Sequence, residues 1–216
     1  VAKCGGVGTI SGVHPGYREA DFKENPFRAN LRAIGNELEK AKEIANGGII
    51  GFNFMTVMNH YEEYVKEAIA AGADFIVSGA GLPVNLAKYA AGTRAAILPI
   101  VSSARALKLI VKQWQRADRL PDAVVVEGPL AGGHLGYPYG HLVDGTFDTL
   151  EDSLVDVVDY VRELEEKNGV KIPVIAGGGV RNHADMERLM ALGASGVQVG
   201  TKFVATEECD AAPAFK

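Results

Sequence analysis

The chain has 216 residues, 47% hydrophobic and 23% charged, with 22 Lys and Arg against 27 Asp and Glu for a net charge of −5. That length can bury the core of one domain, and the composition excludes disordered and fibrous classes as well as the basic footprint of a nucleic-acid or membrane-surface binder. Cys4 and Cys209 form neither a CxxC pair nor a disulfide framework, and no signal peptide or membrane-length apolar run is present, so a cytoplasmic protein is expected.

In chain order, Val1-Ala-Lys-Cys-Gly-Gly reads as the end of a helix already under way, which implies a chain cut from something longer. Short apolar runs with strand character then follow at 7–11, 49–54, 75–78, 96–101, 123–127, 173–176 and 196–200. Most are nearly continuous, as parallel strands covered on both faces should be. Helical patterns fill the gaps at 27–45, 61–71, 84–91, 104–117, 150–167 and 183–192. Leu154, Val157, Val158, Val161 and Leu164 form an amphipathic stripe. Gly72 and Gly193 stand where helices should stop.

Seven βα repeats with short connections predict one domain over 1–216, either a doubly wound sheet or a TIM (β/α)₈ barrel. A doubly wound sheet should carry G-x-G-x-x-G after its first strand, and Cys4-Gly-Gly-Val-Gly precedes the strand instead. Glycines follow the last two strands, in Ala176-Gly-Gly-Gly-Val and in Val199-Gly-Thr-Lys. Paired phosphate loops after strands 7 and 8 recur in barrels. The barrel is therefore the expected fold, with 7–11 as its second strand and the first missing upstream of Val1.

Gly177–Gly179 and Gly200-Thr201 are the phosphate candidates, because glycine admits a ligand close to backbone N–H groups. The plainer alternative is a pair of tight βα turns. His134, in Glu127-Gly-Pro-Leu-Ala-Gly-Gly-His-Leu-Gly, lies in a connection of about twenty residues, and long connections are usually functional. An imidazole there suits proton abstraction from a weak carbon acid, though it could equally be bonded to a loop carbonyl. His134 and His141 lack carboxylates at metal-ligand spacing, so no metal is expected. His60 opens a helix as part of a solvated face, and His14 and His183 read as capping or surface residues. Trp114 reads as core. Asn53 interrupts an apolar strand near its end and needs a partner if buried. Ser78-Gly-Ala-Gly-Leu-Pro ends a strand in a loop open to a flat ring, or in an ordinary turn.

These residues resemble the nitronate monooxygenase (2-nitropropane dioxygenase) family, which includes a flavin-dependent enoyl-ACP reductase II branch. Ala131-Gly-Gly-His134 carries the resemblance, supported by Ile172-Pro-Val-Ile-Ala-Gly-Gly-Gly-Val, Gly193-Ala-Ser-Gly-Val-Gln-Val-Gly-Thr201 and Ser78-Gly-Ala-Gly. It covers essentially the whole chain. The resemblance implies a barrel holding FMN, with the phosphate on Gly178, Gly179, Gly200 and Thr201 and with Gln198 and Val199 beside it. It implies ring or ribityl contacts from Asn53, Glu127 and Gly132, and His134 in the catalytic position. Monooxygenase members oxidise nitronates to a carbonyl compound and nitrite, whereas reductase members pass hydride from NAD(P)H through FMN to an unsaturated thioester. The monooxygenase branch commonly has an acid before Ala-Gly-Gly-His and an Arg after it. Here these are Leu130 and Leu135, and the apolar residue after His is nearer the reductase branch. The family's first strand and its C-terminal extension are expected outside 1–216.

Two rivals lie outside flavin chemistry. A nucleotide dehydrogenase similar to IMP dehydrogenase needs a cysteine in the loop after strand 6, and 128–136 has none. A phosphate-barrel isomerase needs an acid and a base on two strand ends, where only Glu127 could accompany His134. The expected partner is a small-molecule substrate, with no nucleic acid and no membrane. A homo-oligomer is compatible with the sequence.

Overall fold

The apolar runs become seven parallel strands that follow one another in chain order. In the computed structural model, which describes residues 1–209 and 211–216, these are β1 (Val7–Ser11), β2 (Ile49–Met55), β3 (Phe75–Gly79), β4 (Ala96–Val101), β5 (Val124–Glu127), β6 (Val174–Gly177) and β7 (Gly196–Gln198). The sheet order is β1-β2-β3-β4-β5-β6-β7, every neighbouring pair parallel. A doubly wound sheet reverses its order at a switch point. No reversal occurs here, so the topology is that of a (β/α)₈ barrel sheet with seven of its strands described.

Helices α1 (Pro26–Ala45), α2 (Tyr61–Ala70), α3 (Leu86–Tyr89), α4 (Ala104–Trp114), α5 (Tyr139–Asp144), α6 (Leu150–Asn168), α7 (His183–Ala191) and α8 (Thr201–Val204) fill the connections, with 3-10 turns at Ala2–Cys4 and Gln115–Ala117. Asn25 caps α1 by accepting from Arg28 N–H, with Pro26 opening the helix. Thr149 and Asp152 form a reciprocal capping box on α6. The expected connection from 128 to 149 is not all loop, because Tyr139–Asp144 makes one and a half turns of helix inside it. The expected helix at 84–91 shrinks to Leu86–Tyr89.

The chain divides into two units: residues 1–99 with 108–122, and residues 100–107 with 123–216. In the first, Ile50, Phe52 and Phe54 of β2 are buried beside Ile34 and Leu38 of α1. Trp114 is fully buried there and donates its indole N–H to Pro83 O at 2.9 Å, which makes it a core residue. In the second, Val124 and Val126 are buried, as are Leu154, Val157, Val158, Val161 and Leu164, the stripe read from the sequence.

Burial on both faces holds for β3, whose five residues are all buried, but not for the outermost strands. β1 alternates exposed with half-buried positions, and β7 is half-buried throughout. Each has a single strand neighbour among the described residues, so one edge and part of one face stay uncovered.

Candidate functional site

Strand register fixes which side chains share a row. In the second unit Glu127 pairs with Gly177 and Gly177 with Gln198, so the three lie side by side at the C-terminal ends of β5, β6 and β7. Gly177 contributes no side chain to the row. A Cβ there would stand 3.4 Å from Gln198 Cβ and 3.6 Å from its Nε2, so the Gln198 amide runs alongside the gap. Glu127 is half-buried, and with no ion-pair partner among the described residues, burial pushes its carboxyl above the usual carboxylate range.

The glycine loops follow directly. Gly178 and Gly179 have φ +99° and +81°, a conformation that side-chain-bearing residues rarely adopt. They pack on the turn after β5: a Cβ on Gly178 would stand 3.0 Å from Ala131 N, and one on Gly179 would stand 3.2 Å from Leu130 Cβ. Arg181 N–H, just beyond, donates to Asp185 at 2.9 Å. After β7, Gly200 precedes α8, and apart from its chain neighbours no atom of the described residues lies within 4 Å of the position a Cβ would take. The backbone N–H groups of Gly178, Gly179, Gly200 and Thr201 find no acceptor among the described residues. Lys202 donates its ammonium to Arg181 O at 2.6 Å, tying the loop after β7 to the loop after β6. The sequence reading missed this lysine. Its only signal there was its place after Gly200-Thr201.

His134 is exposed on a bend between Gly133 (φ +94°) and Leu135, with no side-chain partner among the described residues. Gly132 is exposed on the same bend, and Val199 is half-buried between Gln198 and Gly200. His141 lies on α5, exposed. His60 ends up in the left-handed region before α2, 3.6 Å from Glu63 and against the Phe27 ring. His183 is the first residue of α7, whose cap is Asn182. His14 is exposed, edge-on to Phe22. Among the described residues no group of three or more His, Cys, Asp and Glu could hold a metal.

Asn53 and Ser78 belong to the first unit. Asn53 is half-buried in β2, in register with Ser11 and Val77, and its side chain makes no hydrogen bond among the described residues. Ser78 is a satisfied core group: its hydroxyl donates to Phe54 O at 2.8 Å and lies 2.7 Å from the Tyr61 hydroxyl. Burial pushes that Tyr61 phenol up to about 12. The loop after Ser78 holds Ala80 at φ +52°, its carbonyl bound by Thr56 Oγ1 at 2.8 Å.

The nitronate monooxygenase family model matches residues 1–216. The chain belongs to the nitronate monooxygenase family. It is 36% identical over 95 residues to nitronate monooxygenase of Pseudomonas aeruginosa, a stretch covering 44% of this chain and 24% of that protein. The chain spans about a quarter of the length of the curated relatives it matches first. Among solved structures it is similar to FabK from Thermotoga maritima, with a TM-score of 0.64, 29% identity and coverage of 84% of this chain and 51% of that one. The nitroalkane oxidase of Streptomyces ansochromogenes, at TM-score 0.65 and 20% identity, covers 98% of this chain and 62% of its own and shows the shared fold. Among the described residues no helix is long and apolar enough to cross a membrane.

Proposed function

We propose that this chain is the FMN-binding part of an oxidoreductase that converts nitronates to a carbonyl compound and nitrite. The observation that carries this reading is the set of four backbone N–H groups at Gly178, Gly179, Gly200 and Thr201, on the loops of two adjacent strands, that find no acceptor among the described residues. Such donors suit a phosphate, and the open space over Gly200 leaves room for one. The residues present therefore fit the phosphate end of FMN. Bound there, FMN would accept the electrons that the oxidised carbon gives up.

The chain's own groups supply the rest. Gln198 and Glu127 offer an amide and a carboxyl on either side of the gap at Gly177, where a flat polar ring edge finds both a donor and an acceptor. Val199 directly follows Gln198 in sequence, and Gly132 lies in the loop that follows Glu127. Burial raises the Glu127 carboxyl above the usual carboxylate range. His134, exposed and without a side-chain partner among the described residues, takes the α-proton of a neutral nitroalkane; a nitronate has already lost it.

A second reading, an NAD(P)H-dependent flavin reductase of enoyl thioesters, is favoured by Leu135 after the histidine. Oxygen consumption with propyl-nitronate against NADH or NADPH consumption with an enoyl thioester separates the two. The test of the first is His134→Asn: FMN stays bound, nitroalkane turnover falls by roughly two to four orders of magnitude, and nitronate turnover falls far less. Purified full-length protein without flavin absorbance would sink both readings.

A further inference from the structure

His134 stands on the crest of a loop whose two limbs are held in different ways. The outgoing limb packs against Gly178 and Gly179, and its hydrogen bonds are backbone ones: Gly128 N–H donates to Gly177 O at 2.9 Å, and Ala131 N–H donates to Gly128 O at 3.1 Å. The returning limb is fixed by two hydroxyls. Ser102, directly after β4, donates to Gly136 O at 3.0 Å, and a Cβ on Gly136 would stand 2.6 Å from that same Ser102 oxygen. Tyr137 donates its phenol O–H back to Glu127 O at 3.3 Å, with its ring edge-on to Phe147, centroids 6.3 Å apart. Burial pushes the Tyr137 phenol up, so it keeps its proton, and its donor role, through the neutral range. Between the limbs, Gly132, Gly133 and His134 make no hydrogen bond among the described residues. All of these groups lie in the second unit.

We propose that Ser102 and Tyr137 are the positioning residues of this loop: their hydroxyls pin residues 136 and 137 and so set where the His134 imidazole stands. The inference rests on the reading of His134 as the group that takes the substrate proton. With two flexible glycines before it, the histidine draws its placement from the limb that follows. Gly136 is required because Ser102 occupies the space a side chain would need. One neutral hydrogen bond of this kind shifts a local equilibrium by roughly fivefold. Proton transfer at carbon is sensitive to displacements of about 1 Å.

The test combines limited proteolysis with turnover, in the flavin-loaded full-length protein. Ser102→Ala and Tyr137→Phe should keep flavin content while chymotryptic cleavage after Leu135 speeds up by roughly fivefold. The kcat for a neutral nitroalkane should fall several-fold with little change in KM, and that for a pre-ionised nitronate should hold, a split that general loosening of the fold would not produce. Gly136→Ala displaces the same Ser102 hydroxyl and also meets Ser102 Cβ at 3.1 Å, so the loss in Ser102→Ala with Gly136→Ala should fall short of the sum of the two single losses. Unchanged cleavage after Leu135 in both hydroxyl variants overturns the proposal, as does faster cleavage with undiminished nitroalkane turnover. A parent protein inactive on nitronate and nitroalkane sinks the functional reading instead, and the proteolysis comparison still decides whether the hydroxyls pin the loop.

Discussion

The glycine loops after β6 and β7 look interchangeable in sequence, and the structure gives them different duties. Gly178 and Gly179 are held at positive φ and pressed against Ala131 and Leu130. Gly200 has φ −119°, and the space a side chain would fill is open. The first pair is glycine for the sake of the fold, whereas no contact among the described residues demands glycine at 200. Under the proposed reading, a substitution at 178 or 179 perturbs packing and ligand together, whereas one at 200 reports on the ligand.

The largest effect should come from breaking the packed loop. Gly178→Ala combines backbone strain at φ +99° with a Cβ 3.0 Å from Ala131 N, at a cost of roughly 1–3 kcal/mol. Thermal unfolding of the flavin-free variant should show it as a drop in Tm of several degrees. An unchanged Tm would mean the two loops do not differ as described.

Gly200→Val should leave folding stability within about 1 kcal/mol of the parent. Its branched side chain fills the open space over the unclaimed N–H groups, so FMN affinity should fall by on the order of tenfold or more. Titration with FMN followed by flavin fluorescence measures this directly. Full affinity in Gly200→Val would remove the phosphate from this loop.

A smaller, pH-dependent effect belongs to Glu127. Its carboxyl is raised in the folded chain by burial, so the unfolded chain releases the proton more readily. Folding stability is complete below the ordinary carboxylate range and is lost as pH rises through the folded value. Glu127→Gln, which never ionises, should match the parent in Tm near pH 4 and exceed it at pH 7 to 8, measured without flavin. A constant Tm difference across that range would show that burial does not govern this carboxyl.

The smallest effect sharpens the link between the loops. Lys202→Met removes the ammonium from Arg181 O and should change stability by no more than about 1 kcal/mol, since the group is exposed. If that ammonium also faces the phosphate, FMN affinity should weaken several-fold and depend less on salt.

Much of this arrangement was legible in the residues. The apolar runs at 7–11 and 96–101 match β1 and β4 residue for residue, because β-branched runs bounded by polar or glycine-rich segments leave few alternatives. Helix stops at Gly72 and Gly193 appear as φ +93° and +105°. Trp114 is core, as its helical pattern suggested. Other features were not legible. Helix α5 hides in a run holding Pro138, Gly140 and Gly145, where local propensity argues for loop. Ser78-Gly-Ala-Gly left a ring-admitting loop and an ordinary turn both open in sequence, and the bonds of the Ser78 hydroxyl to Phe54 O and Tyr61 make that residue a satisfied core group.

Local chemistry in the sequence determined the alternation of strand and helix, the places where helices stop, and the pairing of glycine-rich loops at the ends of two adjacent strands. These follow from properties each residue carries with it: side-chain shape, hydrophobic period and glycine's backbone freedom. Only the tertiary structure decided which of those glycines are packed and which are open, and which hydroxyls hold the histidine loop. The contacts responsible join Gly178 to Ala131 and Ser102 to Gly136 across 47 and 34 positions of chain. Separations of that size are closed by burial of the intervening strands and helices, so no local window of sequence contains the information.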